Sequence, residues 1–278
     1  DPELSRGLGD VYKRQNNDRP GILLSSAIKK YADLFGVACG EKNILFTNND
    51  SVYETAISLI QKGIKVQAII DNREEIDSKL IKETEKNNIK IYKGYTIVDT
   101  FGYKRINSVS IMKLSKDGQK VIGSKENISC DSLGISGGWT PAVHLFTQSG
   151  GKLKFRDDDQ VFIPNTYPSN QISIGSCNGD FTLDEILINA PKLLKEFLNI
   201  KKTEYENIEI YSAFNKSKRN IWLLPSNKIV GKTKSFVDFQ NDATAKDIKL
   251  ALREGFRSIE HVKRYTTTGM GTDQGKLG

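Results

Sequence analysis

Cysteine and histidine are scarce in this chain of 278 residues: three cysteines, Cys39, Cys130 and Cys177, and two histidines, His144 and His261. The cysteines lie far apart and form no Cys-x-x-Cys pair. That excludes dithiol redox chemistry and a disulfide framework, and it suits a reduced, cytoplasmic setting. Two separated histidines are too few for a metal centre. No apolar run approaches the roughly 20 residues that a membrane-spanning helix needs, so no membrane association is expected.

What remains is ordinary for a soluble globular protein: 37% hydrophobic and 27% charged residues. The net charge of +7 is uneven, for the residues from Lys201 onward hold 15 Lys/Arg against 9 Asp/Glu. A basic surface attracts nucleic acid, an acidic partner or the phosphates of a cofactor. The lysines are scattered and no recognition motif accompanies them, so nucleic acid is not expected.

Ser5 to Gln15, SRGLGDVYKRQ, reads as a translated sequencing adapter, and residues 1–15 are set aside as a scar. The chain is therefore expected to begin inside a gene, and to stop early, directly after a Gly-rich turn. The apolar positions Ile22, Leu23, Ala27, Ile28, Tyr31 and Leu34 suit a one-sided helix. A strand over 42–47, a helix over 51–62 and a strand over 65–70 then open a Rossmann-like unit. A polar helix over 74–86 and a strand over 89–92 follow.

Beyond these, GYTIVDTFGYKRINSVSIMKL and KDGQKVIGSKENISC alternate as strands joined by turns. DSLGIS is a further strand, and IGSCNGDF leads into a helix over 182–198. Near the end Thr244 and Asp247 form a capping box. Ile248, Ala251, Leu252, Phe256, Ile259 and Val262 there predict one buried face across two helices broken at Gly255.

A dinucleotide site needs glycines after its first strand, so that backbone amides approach the pyrophosphate at a helix N-terminus. Here that turn is Thr47-Asn48-Asn49-Asp50-Ser51, without glycine and with an acid where phosphate belongs. Asp71 stands where an acid would bind a ribose. The structural reading is a Rossmann scaffold with a weakened or lost site. Lys263, Arg264, Thr266, Thr267, Thr268 and Gly269 combine cations, hydroxyls and flexible backbone, a set suited to a phosphate. The alternative is a turn retained for shape. His144, among apolar residues, reads as a core histidine, and His261 as a solvated one.

Three segments, FTNNDSVYETA, SGGWTPAVHLFTQSGGKLKF and KRYTTTGMGTDQGK, resemble the alpha subunits of heterotetrameric sarcosine oxidases and related amine, opine and proline dehydrogenases. The resemblance runs over nearly everything after residue 15. It implies an α/β fold: a fragment of a Rossmann-like, two-dinucleotide-domain (thioredoxin-reductase-like) architecture. A small helical domain follows, similar to bacterioferritin-associated ferredoxin but without its cluster. The implied domains are an inserted nucleotide-binding unit over 16–115, a return to the first dinucleotide domain over 116–200, a linker over 201–230 and the small domain over 231–278. Gly138, Trp139, Gly175 and Ser176 match the return elements of such folds, with Ser176 in place of the aspartate that usually binds a flavin ribityl chain. The four ligand positions of an iron-sulfur cluster read Asp238, Gln240, Asp273 and Gly278, which offer no thiolate.

The resemblance further implies a subunit without catalytic residues of its own, in an enzyme that oxidatively demethylates sarcosine to glycine and hydrogen peroxide and passes the one-carbon unit to tetrahydrofolate. NAD would sit in the full alpha subunit, FMN at the interface with the beta subunit and FAD in the beta subunit. Gamma and delta subunits would complete the assembly. Another amine or imino-acid dehydrogenase, or a non-catalytic nucleotide-binding scaffold, stays open beside it.

Overall fold

The computed structural model describes residues 16–168, 170–200, 221–225 and 234–272. These described residues form two compact units, one of residues 16–137 with 221–225 and 234–272 and one of residues 138–168 with 170–200.

The larger unit opens with β1 (Ile22–Leu24), α1 (Ser25–Phe35), β2 (Asn43–Thr47), α2 (Ser51–Gln61), β3 (Val66–Asp71), α3 (Lys79–Lys86) and β4 (Lys90–Lys93). Three antiparallel strands follow, β5 (Tyr95–Phe101), β6 (Ser108–Leu114) and β7 (Val121–Ser129), and then β8 (Ser132–Ser136). β8 returns to the first sheet, whose order is β1-β8-β2-β3-β4 with every pair parallel. The Rossmann-like α/β fold expected from the sequence is present.

Strand alternation explains the layering. Ile44, Phe46, Ala68 and Ile70 project to the face that packs with Ile97, Val109 and Ile111 of the antiparallel sheet. Leu45 and Ile69, one residue out of phase, join Ile28, Val52, Ala56, Leu59 and Ile81 of the three helices. A sheet covered on both faces requires continuous apolar runs, which NILFT and VQAIID supply. Gly134 in β8 lets α1 lie close: a Cβ there would come within 2.6 Å of Leu45 and 2.9 Å of Ile28.

One expectation changes. Ile22 and Leu23 are strand, not helix, because they pair with Leu133 and Gly134. α1 then buries Ile28 and Ala32, while Tyr31 and Leu34 are exposed. The larger compact unit runs on to Gly137, since β7 pairs with β6 and β8 lies between β1 and β2.

The smaller unit contains α4 (His144–Gln148), β9 (Lys152–Arg156), β10 (Val161–Thr166), a single 3-10 turn at Gly175–Asn178 and α5 (Leu183–Leu198). The β9–β10 hairpin was not foreseen. Arg156 pairs with Asp159 at its turn and donates to the carbonyl of Gly179 at 2.9 Å. α5 begins with a reciprocal capping box between Thr182 and Glu185.

The C-terminal elements, β11 (Phe236–Asp238), β12 (Ala243–Thr244), α6 (Ala245–Arg253) and α7 (Ile259–Thr266), belong to the larger unit. The Asn17 side chain ties them to its start, donating to the Phe236 carbonyl at 2.8 Å and accepting its N–H at 2.9 Å. The Thr244–Asp247 capping box forms as expected. The buried face is narrower than the spacing predicts: Ala251 and Val262 are buried, but Leu252 and Ile259 are exposed. Two short helices cover too little of each other to hide a full stripe. Most of the expected linker, 201–230, lies outside the described residues.

Candidate functional site

In an open parallel sheet, ligands bind at the carboxyl ends of the strands. Here β2 ends at Thr47 and β3 at Asp71, and the groups gathered there are buried: Asn48, Asn49, Asp50 and Asp71 are each at most 3% exposed. Asp71 accepts from Arg73 three times, at 2.9 Å from the backbone N–H, 3.0 Å from Nε and 2.8 Å from the guanidinium terminus, and from the Tyr53 hydroxyl at 2.8 Å. The same guanidinium pairs with Asp50 at 2.8 Å. Burial pulls the Arg73 pKa down, and the two aspartates more than reverse this, leaving it above the ordinary value. Burial and the Asp71 charge push the Tyr53 phenol up.

The backbone amides that would cradle a pyrophosphate are already engaged. Asn49 N–H donates to Thr47 Oγ1 at 3.0 Å, Ser51 N–H to Asn49 Oδ1 at 3.0 Å and Tyr53 N–H to the Asp50 carbonyl at 3.0 Å. The Asn48 amide donates to the Gly137 carbonyl at 3.0 Å, closing the turn onto the end of β8. The Asn72 backbone N–H donates to the Thr47 carbonyl at 3.0 Å, while its buried side-chain amide hydrogen-bonds none of the described residues. These residues do not fit a dinucleotide phosphate: the N–H groups of Asn49, Ser51 and Tyr53 are taken, and two carboxylates face one guanidinium. Arg73 and Tyr53 were not singled out in the sequence. The legible signal was an arginine two residues past the strand-end acid.

The second cluster is the loop after α7. Lys263 is half-buried and Arg264 exposed, both in the last helical turn. Cations there complement the negative end of the helix dipole. The Thr266 hydroxyl lies 2.8 Å from the Val262 carbonyl and 2.7 Å from the Thr268 hydroxyl, and the Thr267 hydroxyl donates to the Thr266 carbonyl at 2.6 Å. Thr267 and Gly269 both have positive φ, 59° and 69°, as a chain reversal requires. The hydroxyls thus bond within the turn, and the two cations are what the loop offers outward.

Asp238 holds that loop. Its Oδ1 accepts the N–H groups of Gln240 at 2.8 Å and Asn241 at 3.2 Å; its Oδ2 accepts the Asn241 side chain at 3.1 Å and the Gly269 N–H at 2.7 Å. Burial pushes the carboxyl up, but the donors from Gly269, Asn241 and Gln240 together hold it below the usual range. Gln240 accepts from the Thr272 hydroxyl at 3.1 Å. Asp273 and Gly278 lie outside the described residues.

In the smaller unit Gly138 and Trp139 are half-buried, and Gly138 has a φ of 126°. Gly175 opens the 3-10 turn at φ 74°, and its carbonyl and that of Ser176 accept the Gly179 N–H. His144 is exposed at the start of α4, not in a core, because only Phe146 of that short helix turns inward. His261 is exposed.

Residues 232–278 match the sarcosine oxidase A3 domain family. Three sarcosine oxidase alpha subunits each match 94% of the chain. The one from Corynebacterium sp. (strain P-1) is 31% identical over 273 residues, and the one from Rhizobium meliloti (strain 1021) 32% over 266. The chain spans only 27% and 25% of their respective lengths. Among solved structures, an L-proline dehydrogenase from P. horikoshii is 19% identical with a TM-score of 0.56, covering 95% of this chain and 47% of that one. That likeness shows the shared fold. Over 94% of its length, this chain is similar to about a quarter of these sarcosine oxidase alpha subunits, and its residues 232–278 are similar to the A3 domain of that family.

Proposed function

We propose that this polypeptide acts as part of the alpha subunit of an amine-oxidising flavoenzyme of the sarcosine oxidase type. The similarity along 94% of the chain carries the reading. The reaction proposed is oxidative demethylation of sarcosine to glycine, with hydrogen peroxide formed and the one-carbon unit passed to tetrahydrofolate. In this proposal the oxidation itself is carried out at FAD in a beta subunit. Gamma and delta subunits and a cytoplasmic setting complete the proposal.

FMN at the face toward the beta subunit would meet Lys263 and Arg264, with Thr266, Thr267, Thr268 and Gly269 shaping the turn that presents them. NAD, in this proposal, sits in the first dinucleotide domain near Gly138, Trp139, Gly175 and Ser176. A second reading, a related amine or imino-acid dehydrogenase, is favoured by the fold shared with the proline dehydrogenase.

The test is to co-express the full-length subunit with the products of its adjacent genes and to assay peroxide and dye reduction with sarcosine, proline and opines. Sarcosine turnover producing peroxide supports the first reading. Turnover of proline or an opine alone replaces it with the second. Assembly without amine oxidation favours a scaffold.

A further inference from the structure

We infer that the α/β unit of residues 22–136 is closed to dinucleotides, its phosphate seat filled from within by the Asp50–Arg73–Asp71 bridge, so that any dinucleotide on this polypeptide sits elsewhere. Three independent observations converge. The first is position: Asp50 starts the turn into α2 and Asp71 ends β3, which are the points where pyrophosphate and ribose sit in a nucleotide-binding α/β unit. Both acids are fully buried.

The second is donor supply. The N–H groups of Asn49, Ser51 and Tyr53 are all used inside the turn and so are not offered to a phosphate oxygen. The third is charge. One guanidinium against two carboxylates leaves the crevice negative, the wrong sign for a pyrophosphate.

Arg73 invites the opposite reading, as a cation waiting for a nucleotide phosphate. Its bonding argues against that. The guanidinium is held on Asp71 by two hydrogen bonds of 3.0 and 2.8 Å, and on Asp50 at 2.8 Å. Swinging out would strand two buried carboxylates without a counter-charge, leaving Asp71 the Tyr53 hydroxyl and the Arg73 backbone N–H. The arginine is the fixed centre of the unit's own polar core.

Hydrogen exchange on the full-length subunit in its assembly tests this, with and without millimolar NAD+ or NADP+. Peptides covering 43–53 and 66–73 should exchange at unchanged rates. Ligand-induced protection of those peptides overturns the inference; protection confined to other segments agrees with it. Asp50→Asn and Arg73→Met are then compared for melting temperature and extracted dinucleotide content. Asp50→Asn keeps the shape of the turn and serves if Arg73→Met does not fold. The melting temperature should fall by about 5 °C or more while dinucleotide content stays level. A halved content in Asp50→Asn, or a melting temperature that does not move, overturns it.

Discussion

The carboxylate of Asp238 accepts the backbone N–H of Gly269 at 2.7 Å, linking β11 to a turn 31 residues later. With the donors from Gln240 and Asn241, one buried acid organises both loops of the C-terminal elements. The Asp238 pKa lies below its ordinary value, so its contribution to stability is complete above the unfolded-state pKa near 3.9 and is lost as pH falls through the folded value. Asp238→Asn should cost about 2 kcal/mol at neutral pH, as expected for hydrogen bonds to a charged group. Urea melts of both proteins across the acid range check this. The gap between them should close toward the acid end, and a gap independent of pH would show that the charge is not what holds the turn.

Asp238 and Gln240 both bond across to the loop after α7, and neither supplies a thiolate. Anaerobic reconstitution with iron and sulfide should therefore produce no charge-transfer absorbance. A stoichiometric cluster bound by residues 231–278 would sink this expectation.

Gly134→Ala places a methyl 2.6 Å from Leu45 Cδ2 and 2.9 Å from Ile28 Cδ1, both in side chains that are at most 1% exposed. Neither has room to yield. Overpacking of this kind costs about 1–3 kcal/mol, measurable by urea unfolding. Adding Ile28→Val should recover part of the loss; no recovery would place the strain somewhere other than the contact of α1 with β8.

Replacing Lys263 and Arg264 with alanine in the full-length enzyme separates an interface role from a helix-end role. If the pair holds a flavin phosphate, FMN incorporation should drop about tenfold or more, as a charge-assisted contact predicts. Reduction of FAD by the amine should stay near wild type in stopped flow. If the cations only offset the α7 dipole, the FMN-to-FAD ratio will be unchanged and only a small loss of stability will appear.

Legibility differed by element. β2, α2 and β3 were plain because their apolar periods are strong and uninterrupted. β1 was missed because a three-residue strand carries no period of its own; its partner lies some 110 residues away at Leu133–Ile135. The β9–β10 hairpin was missed because KLKFR and VFIPNT alternate weakly and expose Phe155 and Phe162. At the candidate site, the missing glycines and Asp50 could be read directly. Arg73 could not, since nothing in a linear order shows that one guanidinium spans two strand ends.

By itself the sequence determined the α/β class, the lack of thiolate ligands and the glycine-free turn after β2, because each depends on residue type and local period. The tertiary structure alone decided what fills the space those absences leave. Arg73 meets its near neighbour Asp71 locally but reaches Asp50 as well only once β2 and β3 lie side by side, and Asp238 reaches Gly269 only once α6 and α7 have folded back. Buried charges must find partners, and which partners are within 3 Å is a property of the packed chain.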